Sequence, residues 1–308
     1  MRCLVVDKMH ESLPAMLQKI GVEANSEPTI TRDGIKKIIA AYDGLIIRSK
    51  TFVNEDLLVN AQNLKFVARA GSGVDNLDVG YLKSKSIHII NAPEGNRDAV
   101  GEHTIGLILN LLHNLQQGHQ QVTQYIWNRE GNRGTELGNK TVGIIGYGHM
   151  GSSLAKKLQS FGCKVIAYDK YHPNFKDDYA KSVSLNQLKE ESDILSLHVP
   201  LTSETLNMTS IPFFYEFKKS LIFINSSRGE AAPFDSIVNA LKSGKISKAG
   251  LDVLENEKLN TLTASQQKNF DYLVESNKVI FTPHVAGWST ESYIRINEIL
   301  VKKIKSLF

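Results

Sequence analysis

The amino-acid sequence predicts an α/β protein made of two doubly wound parallel-sheet domains. Three observations carry that prediction. The length of 308 residues suits two domains. Short β-branched runs alternate with longer stretches of helical apolar spacing. A glycine-rich turn, Gly146-Tyr-Gly-His-Met-Gly151, stands between one such run and one such stretch, far from residue 1.

Residues 3–6 form a short apolar strand ending at Asp7, and a helix is expected over 11–20. Strands follow at 44–47, 64–67 and 87–90. Their apolar runs lack alternation, which fits strands buried on both faces of a parallel sheet. The intervals between them are long enough for crossover helices. One long helix is then expected over 98–121, capped by Asn96 or Asp98, with Glu102 near its first turn. Residues 127–140 are polar and glycine-rich and predict a loop. A second strand–helix series follows, with strands at 141–145, 164–168, 193–197, 221–224, 249–253 and 279–281. Residues 289–308 place Tyr293, Ile296, Ile299, Leu300 and Ile304 at helical spacing. That last helix is not needed to complete the second sheet, so it is expected to return to the first domain.

Composition narrows the function classes. Apolar residues make up 42% and charged residues 22%, as in soluble globular proteins, which excludes disorder over most of the length and a fibrous chain. The net charge of +4 is mild and the basic residues are scattered, so no nucleic-acid partner is expected. The two cysteines, Cys3 and Cys163, lie in apolar surroundings and predict reduced core thiols in a cytoplasmic protein. The N-terminus carries no apolar stretch of signal-peptide length. The longest apolar stretch, 104–112, is about half a bilayer span and contains Asn110. No membrane partner and no metal site are expected.

The glycine turn has the form G-x-G-x-x-G. It directly follows the strand Thr-Val-Gly-Ile-Ile145 and opens a helix, which is the context that binding a dinucleotide requires. Gly146 permits the tight turn, Gly148 lets backbone approach a pyrophosphate, and Gly151 lets helix and strand pack closely. The helix N-terminus offers free N–H groups and a positive dipole end to the phosphates. Asp169 ends the next strand, where a carboxylate accepts both ribose hydroxyls and repels a 2′-phosphate, so NAD is favoured over NADP. A Rossmann-type NAD domain is therefore expected over 96–286. A smaller discontinuous substrate-binding domain is expected over 1–95 plus 287–308, with a cleft between the two.

Three further residues follow strands of the second series: Arg228 in Asn225-Ser-Ser-Arg-Gly229, Glu257, and His284 in Thr282-Pro-His-Val-Ala-Gly-Trp288. Ligands of open α/β sheets bind at the carboxyl ends of strands, so three strands deliver Arg, Glu and His to one edge. A histidine of near-neutral pKa suits proton transfer, a carboxylate beside it holds the imidazolium, and an arginine fork suits a substrate carboxylate.

With Ile47-Arg-Ser-Lys-Thr51, Ala68-Arg-Ala-Gly-Ser-Gly-Val-Asp-Asn76 and Asn91-Ala-Pro-Glu-Gly-Asn96, these motifs resemble the D-isomer-specific 2-hydroxyacid dehydrogenase family over nearly the whole chain, most strongly its phosphoglycerate dehydrogenase branch. The resemblance implies a flavodoxin-like first domain and a catalytic triad of Arg228, Glu257 and His284. It implies cofactor contacts from Gly146, Gly148, His149, Met150, Gly151, Asp169, Val199, Pro200, Ser226, Arg228, Asp252, Ala286 and Gly287, with Asp252 toward the nicotinamide amide. Arg48, Arg69, Ser72, Gly73 and Arg129 are the implied substrate residues, Ser72 and Gly73 as an anion-binding turn. Two arginines fit a phosphorylated hydroxy acid better than lactate or glyoxylate. The implied reaction is NAD-dependent oxidation of a small anionic D-2-hydroxy acid, with 3-phosphoglycerate giving 3-phosphohydroxypyruvate. The implied assembly is a homodimer, or a dimer of dimers, around residues 98–121 and the following loop, with Arg129 reaching the partner. Because the chain stops at Phe308 after one helix, no C-terminal regulatory domain is expected.

The chain departs from the family pattern at several points. Ser227 stands where the family usually has Ala, Pro233 where Asp is common, and Lys258 where Pro follows the catalytic Glu. The His-Val-Ala-Gly-Trp form resembles that of erythronate-4-phosphate dehydrogenases. Dehydrogenases of erythronate 4-phosphate, glycerate or a simple hydroxy acid are therefore alternatives. An NAD-sensing co-repressor-like binding protein is the alternative from another class.

Overall fold

The computed structural model describes residues 1–308. The chain divides into two compact units, residues 1–97 with 288–308, and residues 98–287. The sequence reading places these boundaries at 95/96 and 286/287.

Unit 1 contains, in order, β1 (Arg2–Val5), α1 (Ser12–Gln18), β2 (Glu23–Ser26), α2 (Arg32–Ile38), β3 (Gly44–Ile47), β4 (Phe66–Arg69), α3 (Val79–Ser84) and β5 (His88–Asn91). Its sheet is wholly parallel in the order β2-β1-β3-β4-β5, the flavodoxin-like order. Successive strand residues enter opposite cores. Cys3, Val5 and Ile46 face one, and Leu4, Val6, Leu45 and Ile47 face the other. The first core also takes Ile296, Leu300, Val301 and Ile304 from the C-terminal helix, so that helix belongs to unit 1. β2 was not expected from the sequence. Its Glu-Ala-Asn-Ser is an edge strand without an apolar run, held by main-chain pairing to β1, with Ala24 against the core and Asn25 Nδ2 donating to the Tyr42 hydroxyl at 2.6 Å.

Unit 2 is reached through α4 (Pro93–His113) and contains α5 (Leu115–Thr123), β6 (Thr141–Ile145), α6 (His149–Leu158), β7 (Lys164–Tyr168), β8 (Lys181–Ser182), α7 (Leu185–Glu191), β9 (Ile194–Leu197), α8 (Ile211–Tyr215), β10 (Leu221–Asn225), α9 (Phe234–Lys242), β11 (Ile246–Leu251), α10 (Ala264–Glu275) and β12 (Val279–Phe281). The closing helix, α11 (Thr290–Lys305), starts in a Ser289–Ser292 capping box. The seven-stranded sheet is parallel in the order β12-β11-β10-β9-β6-β7-β8. Strand order reverses between β6 and β9, so the loops after those strands flank the ligand crevice of a doubly wound sheet. The sheet is buried on both faces. Val142, Ile144 and Ile194 pack with α4 and α6, while Ile145, Leu195 and Leu197 pack with α7, α8 and α9. No helix is long and apolar enough to cross a membrane. Cys3 is buried and Cys163 half-buried, both as free thiols, and burial pushes the Cys3 thiol up to about 12.

The single helix expected over 98–121 is corrected to two. Asn114 adopts a left-handed conformation at φ 54°, which Asn tolerates better than most residues, and ends α4 there. The break is stitched on both sides. Asn110 Oδ1 accepts from the Gln116 N–H at 2.9 Å, and Lys248 Nζ donates to the Leu111 carbonyl at 2.7 Å and to Asn114. α4 buries Leu107, Ile108, Leu111 and Leu112, whereas α5 buries no residue.

Candidate active site and dinucleotide turn

His284 and Glu257 form one pair. His284 Nδ1 lies 2.8 Å from Glu257 Oε1, and each side chain is 48% exposed. A carboxylate only accepts, so it sets the imidazole proton on Nδ1 and leaves Nε2 for another partner. The hydrogen bond to Glu257 holds the His284 pKa above its ordinary value, while desolvation and the nearby Arg228 charge oppose it. Arg228 is brought close by its loop. The loop starts at buried Asn225, whose Nδ2 donates to the Arg228 carbonyl at 2.9 Å. Ser227 is accommodated by donating both its N–H, at 3.0 Å, and its hydroxyl, at 2.8 Å, to Asn225 Oδ1. At Gly229 a Cβ would stand 1.8 Å from the Leu254 carbonyl, so only glycine lets this loop lie against the β11 loop leading to Glu257.

The His284 loop hangs on Asp252. Its carboxylate, 1% exposed, accepts from the Thr282 hydroxyl at 2.6 Å, the Val285 N–H at 2.9 Å and the Ala286 N–H at 2.8 Å. The His284 N–H donates to the Asp252 carbonyl at 2.8 Å, and His284 itself takes φ 54°. Non-glycine residues rarely adopt that region, and here three side-chain bonds and this backbone bond hold it in place. These bonds give Asp252 a positioning role, and a carboxylate that accepts three of them keeps lone-pair capacity for the nicotinamide contact expected of it. Behind Asp252, His103 Nε2 lies 3.0 Å from the Thr282 hydroxyl, and Thr104 Oγ1 lies 3.1 Å from Ser226 Oγ.

The glycine turn has the shape a dinucleotide requires. Gly146 sits at φ 91°, with a Cβ there 2.4 Å from the His198 carbonyl. A Cβ on Gly151 would stand 2.1 Å from the Gly146 carbonyl, while nothing lies within 4 Å of one on Gly148. The N-terminus of α6 carries no side-chain cap, so its N–H groups and dipole face that open space. His149 is exposed and Met150 half-buried in the first turn. Asp169 Oδ2 accepts from the Tyr147 N–H at 2.7 Å, and Oδ1 from the Tyr171 and His172 N–H groups at 2.9 and 3.0 Å. The carboxylate thus braces the turn and keeps remaining lone pairs for a ribose. Val199 is half-buried and Pro200 exposed beyond β9, following His198, which burial holds neutral at a pKa of about 4.

Residues 105–286 match the family model described as D-isomer specific 2-hydroxyacid dehydrogenase, NAD binding domain. The chain belongs to the D-isomer-specific 2-hydroxyacid dehydrogenase family. Within this dehydrogenase family it is 34% identical to the hydroxypyruvate reductase of Thermotoga maritima over 96% of this chain and 94% of that one. It is 30% identical to the D-3-phosphoglycerate dehydrogenase of Archaeoglobus fulgidus, with all of this chain covering 57% of that one. The chain thus spans little more than half of that phosphoglycerate dehydrogenase. Its fold is similar to the D-lactate dehydrogenase of Aquifex aeolicus solved with NAD and lactic acid. The TM-score is 0.83 at 27% identity, covering 100% of this chain and 95% of that one. NAD is the cofactor of this family's binding domain, and the turn described above fits it.

Unit 1 of this dehydrogenase holds its expected substrate residues at strand ends. Arg48 follows β3 and Arg69 ends β4, with Arg69 Nε donating to the Arg48 carbonyl at 3.2 Å. The Arg48 guanidinium carbon lies 3.4 Å from the centre of the Trp288 ring and 5.2 Å from that of Tyr293. Such a stack covers one face and leaves the in-plane N–H groups to an anion. Ser72 and Gly73 are half-buried, the Ser72 carbonyl accepting from Asn91 Nδ2 at 2.6 Å. In unit 2, Ala286 is buried, Gly287 and Ser226 are half-buried, and Arg129 is exposed just before a single helical turn.

Sequence reasoning passed over Thr282, His103, Asn225, Trp288 and Tyr293. Asn225 left a signal, as a polar residue at the inner end of an apolar strand. Trp288 and Tyr293 left none, because only the fold brings them to Arg48.

Proposed function

We propose that the protein oxidises a phosphorylated D-2-hydroxy acid, 3-phosphoglycerate, to its 2-keto acid with NAD. The observation that carries this reading is the His284–Glu257 pair beside Arg228 on one strand edge. NAD, held at the Gly146–Gly151 turn, would supply the acceptor for the hydride that leaves the hydroxyl-bearing carbon. His284 Nε2 takes the hydroxyl proton as the hydride leaves, and returns it in the reverse direction. Glu257 keeps the proton on Nδ1 and stabilises the imidazolium that forms. Arg228 offers planar donors to the substrate carboxylate and carbonyl. Asp252 positions the His284 loop. Arg48 and Arg69 are assigned to the anionic groups of the substrate, and their two charges favour a phosphate.

A second reading is reduction of hydroxypyruvate, supported by the full-length likeness to the hydroxypyruvate reductase. Steady-state rates with 3-phosphoglycerate, 3-phosphohydroxypyruvate, D-glycerate, hydroxypyruvate and D-lactate separate the two. The phosphorylated pair should give the highest kcat/KM. Preference for the unphosphorylated pair overturns the phosphate assignment and leaves the triad assignment standing.

We also infer a homodimer. Leu115, Val122, Tyr125, Ile126 and Trp127 are exposed along α5 and the residues after it, an apolar surface of the kind that a second copy covers. Arg129 lies on the same stretch, and a role across that interface is part of this proposal.

A further inference from the structure

Next to Asp169 lies a group of charges to which the reaction assigns no role. Lys170 immediately follows the ribose carboxylate, where a cation would ordinarily be available to a 2′-phosphate. It is already engaged. Lys170 Nζ lies 2.7 Å from Glu204 Oε2, and the Tyr171 hydroxyl donates to the same oxygen at 2.7 Å. Glu204 arrives on the turn after β9, and that turn is braced internally. The Thr202 N–H donates to Thr205 Oγ1 at 2.8 Å, and the Thr205 hydroxyl donates to the Pro200 carbonyl at 2.6 Å. The loops that follow β7 and β9 are thus joined through one carboxylate. The bond raises the Lys170 pKa and lowers that of Glu204, so both stay charged across the physiological range.

Asp169 and Glu204 place two negative charges against the single positive charge of Lys170. A 2′-phosphate adds roughly −1.5 to −2 more. We propose that Glu204 is a specificity-determining residue that excludes NADP, by holding Lys170 away from a 2′-phosphate and adding a second carboxylate beside Asp169. This rests on the reading that the Gly146–Gly151 turn carries NAD with its adenosine ribose at Asp169. Asp169 alone would repel the phosphate. Glu204 deepens that repulsion and engages the adjacent lysine that could offset it.

The test is the ratio of NADPH to NADH dissociation constants, measured by fluorescence titration of the full chain without substrate. Releasing one exposed lysine and removing one exposed carboxylate should lower this ratio about fivefold in Glu204→Gln at low salt. Glu204→Ala should lower it in the same direction. The gain should shrink at high salt, as screening demands, and should vanish in the Glu204→Gln, Lys170→Gln double variant. An unchanged ratio in both single variants overturns the proposal, and so does a gain that persists in the double variant. Failure of the parent protein to bind NADH would overturn the cofactor reading instead, so the two failures are distinguishable.

Discussion

Replacing Glu257 by Gln tests how much the carboxylate contributes beyond holding a hydrogen bond. The variant keeps an acceptor oxygen beside His284 Nδ1 and removes the charge. At 2.8 Å, with both side chains 48% exposed, the pair sits close to the aqueous limit of screening. Coulomb's law at that limit gives about 1–2 kcal/mol. An imidazolium that develops in the transition state would lose that stabilisation, which corresponds to about a 5- to 30-fold fall in kcat. His284→Ala removes the proton acceptor itself and should cost about 10²–10⁴-fold, with NADH binding retained. The pH dependence separates the roles. The hydrogen bond to Glu257 holds the His284 pKa up, so the pKa falls in Glu257→Gln. Oxidation needs the neutral imidazole, so its acid limb should move to lower pH. Reduction needs the imidazolium, so its activity should be lost earlier as pH rises. The assay is kcat and kcat/KM against pH in both directions. A Glu257→Gln profile that coincides with the parent would refute the pairing, and near-normal turnover in His284→Ala would refute the base.

Arg228→Lys keeps the charge but not the planar fork, so kcat should fall and KM for the acid should rise; unchanged constants would remove Arg228 from the site. Asp252→Ala strands two backbone N–H groups and a threonine hydroxyl, and denaturant unfolding should show a loss of about 2–4 kcal/mol. Stability equal to the parent would contradict the positioning role. Trp288→Ala uncovers Arg48, and a cation–π stack of about 1–2 kcal/mol predicts a KM for the phosphorylated substrate about 5- to 30-fold higher, with kcat less affected. Equal KM values would show that the stack does not orient the arginine. Light scattering at micromolar concentration should report twice the mass of one chain, and a single-chain mass would exclude the dimer.

Much of the fold was legible because its signals are local. A strand buried on both faces must be a continuous apolar run, and Gly44-Leu-Ile-Ile47 and Thr-Val-Gly-Ile-Ile145 are such runs. The glycine turn was legible because close backbone approach leaves glycine as the only residue that fits, as Gly146 and Gly151 show. Arg228, Glu257 and His284 were singled out because each lies in the segment after a recognisable strand and together they match a family pattern.

Other features answer to distant partners. β2 carries no apolar run, and its strand state comes from main-chain bonds to β1. The break at Asn114 depends on Lys248, 134 residues away in sequence, which donates to the Leu111 carbonyl that a continuous helix would have satisfied itself and to the Asn114 side chain. The burial of Asp252 could not be inferred from Leu-Asp-Val alone. Three donors from the β12 loop make a buried carboxylate tolerable there, and the same bonds aim His284. Trp288 stacks on Arg48 because α11 returns to the first sheet. The sequence by itself determined the parallel sheets, the dinucleotide turn and the placing of Arg228, Glu257 and His284 in segments after strands, since each follows from residue type and immediate neighbours. Only the tertiary structure decided which charges are paired, which carboxylate is buried and which arginine is stacked, because each of those depends on residues that meet through folding.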